Sequence, residues 1–384
     1  MSARPVFLHI GLQKTGTSYL QAIFWAAQDQ LRTQCLDLVP GTKRDTFHLM
    51  LDVRGRYDRD LDPPDVATAV ERLPAQLEAA TGRAALVSEE SLAACTVAQA
   101  RRLVDACAGR EVHVVETVRD LARVLPSMWQ QQLRSGGDVG WDDYLDRVVS
   151  RQGSVAKRFW NNQGLVKVLE RWSAVVPADR IHVVTVPPSG APRTQLLERY
   201  CAVLGVDPAP LAEHTPRGNP SLGRVEAELL RRVNASLPAE RRKRQVYGTV
   251  GKRYFSQNVL GELRSDRTQV PRRLESWCGQ QAERVVATVA AGEYDVRGDL
   301  DDLRPRPETF GPDEGQVSDT EVAEVATAAI TTMLEHRMTR LARRQRRRRR
   351  AGGGARGRGA RRPGRAMLRE IRRRATRALR RRTG

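Results

Sequence analysis

Residues 6–24 read VFLHIGLQKTGTSYLQAIF, an apolar run of strand length, a turn holding Gly11 and Gly16, and then a helical pattern. A turn of this kind aims backbone N–H groups at one point, and the dipole of the following helix makes that point favourable for an anion. Three more apolar runs, at 84–89, 111–118 and 181–186, have the same character. Helical patterns follow the first two at 97–107 and 121–133, and the last leads into one near 194–204 after a proline-marked turn. Strands alternating with helices in this way predict a three-layer α/β/α fold with a central parallel sheet, of the P-loop nucleotide-binding type.

The spacing of the two glycines fits the phosphate loop G-x-x-x-x-G-K-[ST], but Thr17 stands where that loop has its lysine, and the lysine is Lys14 instead. Nor does the run at 111–118 end in a clear acid for Mg²⁺, because it meets Arg119 before Asp120. A small-molecule kinase or other P-loop NTPase is therefore the disfavoured reading, and no metal is expected.

Composition places the oddity of this chain at one end. The 384 residues carry a net charge of +20. From Arg343 to Gly384 there are twenty arginines and one acid, Glu370, so the remainder is nearly neutral, with 45 basic and 44 acidic residues. Five scattered cysteines without a C-x-x-C pair argue for a reducing compartment. Neither a signal-peptide pattern nor a run of about 18 apolar residues is found, and the cytoplasm is the expected location. The organisation predicted is a main folded domain over 1–305, a linker and C-terminal helix over 306–342, and an arginine-rich tail over 343–384. Further helices are expected near 224–235, 274–291 and 320–345, a loop over 208–223, and a linker over 304–315.

The stretch HIGLQKTGTSYLQ, 9–21, resembles the 5′-phosphosulfate loop of the sulfotransferases, in the bacterial form H-I-G-x-x-K-T-G-T-[TS]-x-L-Q. The resemblance implies 3′-phosphoadenosine-5′-phosphosulfate (PAPS) as sulfuryl donor, with Lys14 beside the bridging oxygen and Thr15, Gly16, Thr17 and Ser18 around the 5′-phosphate. Charge grows on that oxygen as sulfur leaves it, so a fixed cation there lowers the barrier. A PAPS enzyme also needs a site for the 3′-phosphate. The segment VVETVRDLARVLPS, 114–127, is similar to the family's motif for it, and Arg119 and Ser127 are the matching residues, although Leu121 stands where proline often follows.

An acceptor hydroxyl or amine must lose a proton as it attacks sulfur. The segment LVSEESLAA, 86–94, is similar to the family's S-x-E-x-L, which aligns Glu90 with the motif glutamate; Glu89 is its rival, since strand alternation turns only one of the two to the cleft. His48 is a further candidate base, while His9 reads as structural. Arg217 is a candidate to close over the nucleotide, and Asn219 or Ser221 suits the N-cap of the helix that follows. The acceptor itself, a glycan, a lipid-linked precursor or a small metabolite, is not legible; its pocket is expected in loops over 45–60 and 134–146. The tail at 343–384 seeks polyanions, an anionic membrane surface or nucleic acid. Within it, 366–382 has the pattern of a basic amphipathic helix suited to the inner membrane surface. A rival from another class is a catalytically inactive body on a polyanion-binding tail.

Overall fold

The computed structural model describes residues 4–216, 221–263, 265–313 and 317–352, with side chains to residue 346. Two compact units partition the chain, Met1–Ala329 and Ile330–Gly384. In the first unit the strands are β1 (Pro5–Gly11), β2 (Leu36–Leu38), β3 (Ala84–Ser88), β4 (Glu111–Val118), β5 (Ile181–Thr185), β6 (Val270–Pro271), β7 (Asp295–Arg297) and β8 (Phe310–Gly311). Six of them form one sheet in the order β2-β3-β1-β4-β5-β7, parallel throughout, with helices on both faces. The predicted three-layer α/β/α architecture is the one observed. β2 and β7 are three-residue edge strands, too short to leave a periodic signal.

β1 lies in the middle of the sheet, pairing with β3 through Val6–Ala85 and with β4 through Val6–Val112. Buried on both faces, it reads as an unbroken apolar run. Val6, Leu8 and Ile10 point into the layer that holds Trp172, while Phe7 packs with Leu20, Phe24 and Leu197 on the other side. His9 shares that second face, edge-on to the Tyr200 ring. It is fully buried and bonded through Nδ1 to Ser88 Oγ at 2.7 Å, and burial pushes its pKa down to about 3. A neutral, packed imidazole of this kind orients a strand.

A third core lies beyond the sheet, between the helices Leu121–Arg134, Trp141–Ser150, Gly153–Gln163 and Arg224–Ser236. Some sequence expectations change here. Residues 45–53, expected in a loop, belong to the helix Lys43–Val53, where Thr42 caps the first turn by accepting from the Asp45 N–H. Residues 141–146 open the helix Trp141–Ser150, and Trp141 stacks on Tyr144. The helix at 224 is preceded by Gly223, and its Val225 N–H is capped from across the chain by Ser265 Oγ at 3.1 Å; a side chain at Gly223 would strike that hydroxyl. Asn219 lies outside the described residues. Within 304–315, Phe310 is buried and β8 pairs with β6. The final helix spans Asp319–Gly352.

Trp172 is fully buried in the layer against Val6 and Leu8. Trp172→Ala is expected to lower unfolding free energy by about 3–5 kcal/mol, read as a lower midpoint in urea titration.

Candidate active site

The carboxyl edge of the sheet carries a loop held in one shape. Gly11 and Gly16 have φ of 125° and 88°, and Lys14 itself sits at φ 65°. A Cβ on Gly11 would fall 2.8 Å from the Glu90 carbonyl oxygen, and one on Gly16 would strike Leu196. Hydroxyls do the fastening. Thr15 Oγ1 bonds Thr117 Oγ1 at 2.6 Å and also donates to the Leu12 carbonyl; Thr117 Oγ1 donates to the Gly11 carbonyl, and the Leu12 N–H donates to the Thr117 carbonyl at 2.6 Å. No side chain caps the helix Thr17–Ala26 that follows, so no capping side chain competes with an anion for the N–H groups of its first turn. Thr17 is buried, while Ser18 is exposed at the mouth.

Lys14 is the cation of this loop. Burial pushes its pKa down to about 8, helped by the positive charges of Arg134 and Lys252 and opposed by the carboxylate of Glu90. Neither Arg134 nor Lys252 was singled out in the sequence, because both arrive by tertiary packing. Arg134 ends the helix Leu121–Arg134 and donates to Ser256 Oγ at 3.2 Å; Ser256 and Lys252 belong to a π-helix, Gly248–Val259.

Arg119 joins the loop to a neighbouring cleft. Its Nη1 lies 3.4 Å from the Lys14 carbonyl, its Nε is buried with no partner among the described residues, and burial lowers its pKa to about 10. Asp120, next in sequence, is buried and committed: Oδ1 accepts from the Arg123 N–H at 2.9 Å, capping the helix, and Oδ2 pairs with the Arg123 guanidinium. Arg119, Arg123, Ser127, Arg267 and Arg306 all line a cleft of about 600 Å³. Ser127 is two turns along the helix, its hydroxyl donating to the Arg123 carbonyl at 3.2 Å. Gln130, one turn further, clamps residue 222 from both sides, donating to the Leu222 carbonyl at 2.8 Å and accepting from its N–H at 3.0 Å. Arg217 lies outside the described residues.

The two acids after β3 have different surroundings. Glu89 accepts from the Ser91 N–H through Oε1 at 3.1 Å, and its own N–H donates to the His9 carbonyl. Burial, and then the charge of Glu90, push its carboxyl up to about 7. Glu90 opens a short turn over Gly11 and accepts from Gln21 Nε2 at 3.1 Å, the glutamine that closes the 9–21 motif. Of the candidate bases, Glu90 is the one whose charge acts on Lys14. His48 faces elsewhere, with Nδ1 4.0 Å from Asp65 Oδ2.

A scan of protein-family models and a search of the curated proteins both return no match. Among solved structures, the crystal structure of a sulfotransferase from Alicyclobacillus acidocaldarius is similar at 16% identity, over 67% of this chain and 99% of that one, with a TM-score of 0.38. A superposition that loose assigns no activity, and the site's own residues have to carry one.

Glu89 gives this geometry a stability signature. Its folded pKa, about 7, lies above the ordinary 4.5, so the stability it contributes is full below pH 4.5 and is lost as pH rises towards 7. Glu89→Gln should therefore gain on the wild type across that window in urea titrations, with a constant difference on the alkaline side of pH 7.

Proposed function

We propose that the chain transfers a sulfuryl group from PAPS to a hydroxyl or amine acceptor. The observation that carries the reading is Arg119, a half-buried residue whose Nε is buried and unpaired among the described residues, set between the phosphate-type loop and a cleft where arginines outnumber carboxylates. A triphosphate enzyme has no use for a second anion site built from an arginine beside its loop and a serine two helical turns further on. A nucleotide phosphorylated at both 5′ and 3′ positions does, and the residues fit it: loop N–H groups, Lys14 and the Thr17 and Ser18 hydroxyls for the phosphosulfate, Arg119 and Ser127 for the 3′-phosphate. Along the same cleft Arg267 and Arg306 stand among Asp266, Asp302 and Glu308, and Arg123 is paired with Asp120, which leaves Arg119 as the cation whose Nε has no partner among the described residues.

In the transfer, the acceptor oxygen or nitrogen forms a bond to sulfur as the bond from sulfur to the bridging phosphate oxygen breaks in line. Lys14 and the first-turn N–H groups stabilise the charge that collects on that oxygen. The acceptor's proton passes to Glu90, held by Gln21 in reach of the loop. The products are the sulfated acceptor and 3′-phosphoadenosine-5′-phosphate. Five free cysteines, four of them buried, support a reducing, cytoplasmic setting for this chemistry.

Calorimetry separates the proposal from a kinase. 3′-Phosphoadenosine-5′-phosphate should bind at least about tenfold more tightly than ATP with Mg²⁺; equal affinities would count against sulfuryl transfer. Arg119→Ala should weaken that nucleotide while leaving adenosine-5′-phosphosulfate, which lacks the 3′-phosphate, nearly unchanged. Lys14→Ala should lower kcat by about 10²–10³, measured with labelled PAPS and fractionated extract as acceptor.

A further inference from the structure

Nine large apolar side chains stand exposed among the described residues, and five of them, Ile330, Met333, Leu334, Met338 and Leu341, follow one another on the helix Asp319–Gly352. At about 100° per residue they fall in one arc of roughly 140°. Arg337 and Arg344 project within that same arc, and Glu335 lies outside it. From Ile330 to the end of the sequence there are twenty-two arginines and two acids. A broad apolar stripe threaded with arginine, leading into a strongly cationic segment, has to be matched as a whole.

Three occupants are physically distinct. A second copy of this helix would cover the stripe but set arginine against arginine in its middle, with no acid in the arc to answer them. Nucleic acid would take the arginines and leave the five apolar side chains in water. An anionic bilayer surface takes both: acyl chains receive the stripe, and the arginines, on long apolar stems, reach the phosphates. No helix among the described residues is long and apolar enough to cross a membrane, so the mode is one of lying on the surface.

We propose that this helix is a membrane-surface element, lying in the headgroup layer of an anionic bilayer with Ile330, Met333, Leu334, Met338 and Leu341 turned to the acyl chains. The apolar contact is a separate contribution from the cationic charge of 343–384. Charge attraction alone is screened by salt, whereas burial of the stripe is not.

The test uses the full chain and a variant carrying Ile330→Gln, Leu334→Gln and Leu341→Gln, exposed positions where a helix former keeps the helix. Both are sedimented with vesicles of phosphatidylcholine alone and of phosphatidylcholine with phosphatidylglycerol. The wild type should pellet with the anionic vesicles and keep a bound fraction at high salt; the variant should bind at least about tenfold more weakly and lose the salt-resistant fraction. Equal binding by variant and wild type would overturn the proposal, as would no binding by the wild type. So would light scattering that shows a wild-type dimer made monomeric by the three substitutions, which would give the stripe to a second copy. Calorimetry with 3′-phosphoadenosine-5′-phosphate should give the same result for both chains, which keeps this outcome independent of the donor site.

Discussion

The hydroxyl pair Thr15–Thr117 is the joint on which the site depends. It fastens the anion loop that follows β1 to the neighbouring strand β4, and the same strand delivers Arg119 two residues later. The loop and Arg119, the two proposed anion sites, are thus referred to one rigid ladder, since adjacent strands keep a spacing of about 4.8 Å. The distance between the loop and the cleft is then a property of the sheet and not of flexible side chains. Preorganisation of this kind is what electrostatic catalysis needs, because donors fixed before the reaction cost nothing to orient during it. Gly11 and Gly16 serve the same end by letting Glu90 and Leu196 close directly on the loop backbone.

The cations of the site are held at a cost in solvation. Lys14 and Arg119 both have depressed pKa values with burial as the first cause, and Lys14 also feels Arg134 and Lys252. Packing positive charges together away from water is unfavourable in the empty protein, and an anion relieves it. A ligand that brings two phosphate groups relieves it at both ends. The arrangement of acids points the same way: Asp120 is spent on the helix cap and Arg123, so the carboxylate nearest the cleft in sequence leaves Arg119 uncommitted. Glu90 is placed to act on Lys14, and Glu89, buried and then also in its neighbour's field, carries the raised pKa.

The parts of this site written in consecutive residues were legible in the sequence, and those assembled from distant residues were not. Lys14, the loop glycines and Arg119 all follow strands, where a short motif fixes the geometry. Gln21 was visible as the end of a motif, but its contact with Glu90 spans a helix and a neighbouring strand, and no spacing announces it. Arg134, Lys252, Arg267 and Arg306 are ordinary surface-type residues by pattern, and only the fold turns them to the cleft or the loop. Gly223 begins its helix without a capping side chain because the hydroxyl comes from Ser265, forty residues on in a contact that local rules do not see. The apolar stripe at 330–341 was masked by its surroundings, since a run of arginine draws the eye to charge and hides a helical period.

Segregating charge to one end of the chain also has a consequence for the site. A body of nearly balanced charge has little long-range field of its own, so the potential at the cleft is set by the arginines and carboxylates that line it and by the loop. Charges in the 343–384 segment are screened beyond about 8 Å at physiological ionic strength. Arg119 and Lys14, half-buried, are screened much less. A polyanionic ligand would therefore be drawn by two kinds of cation with different salt dependence. Raising salt should silence the exposed arginines first and leave the half-buried pair at the sheet edge as the determinant of which anion stays.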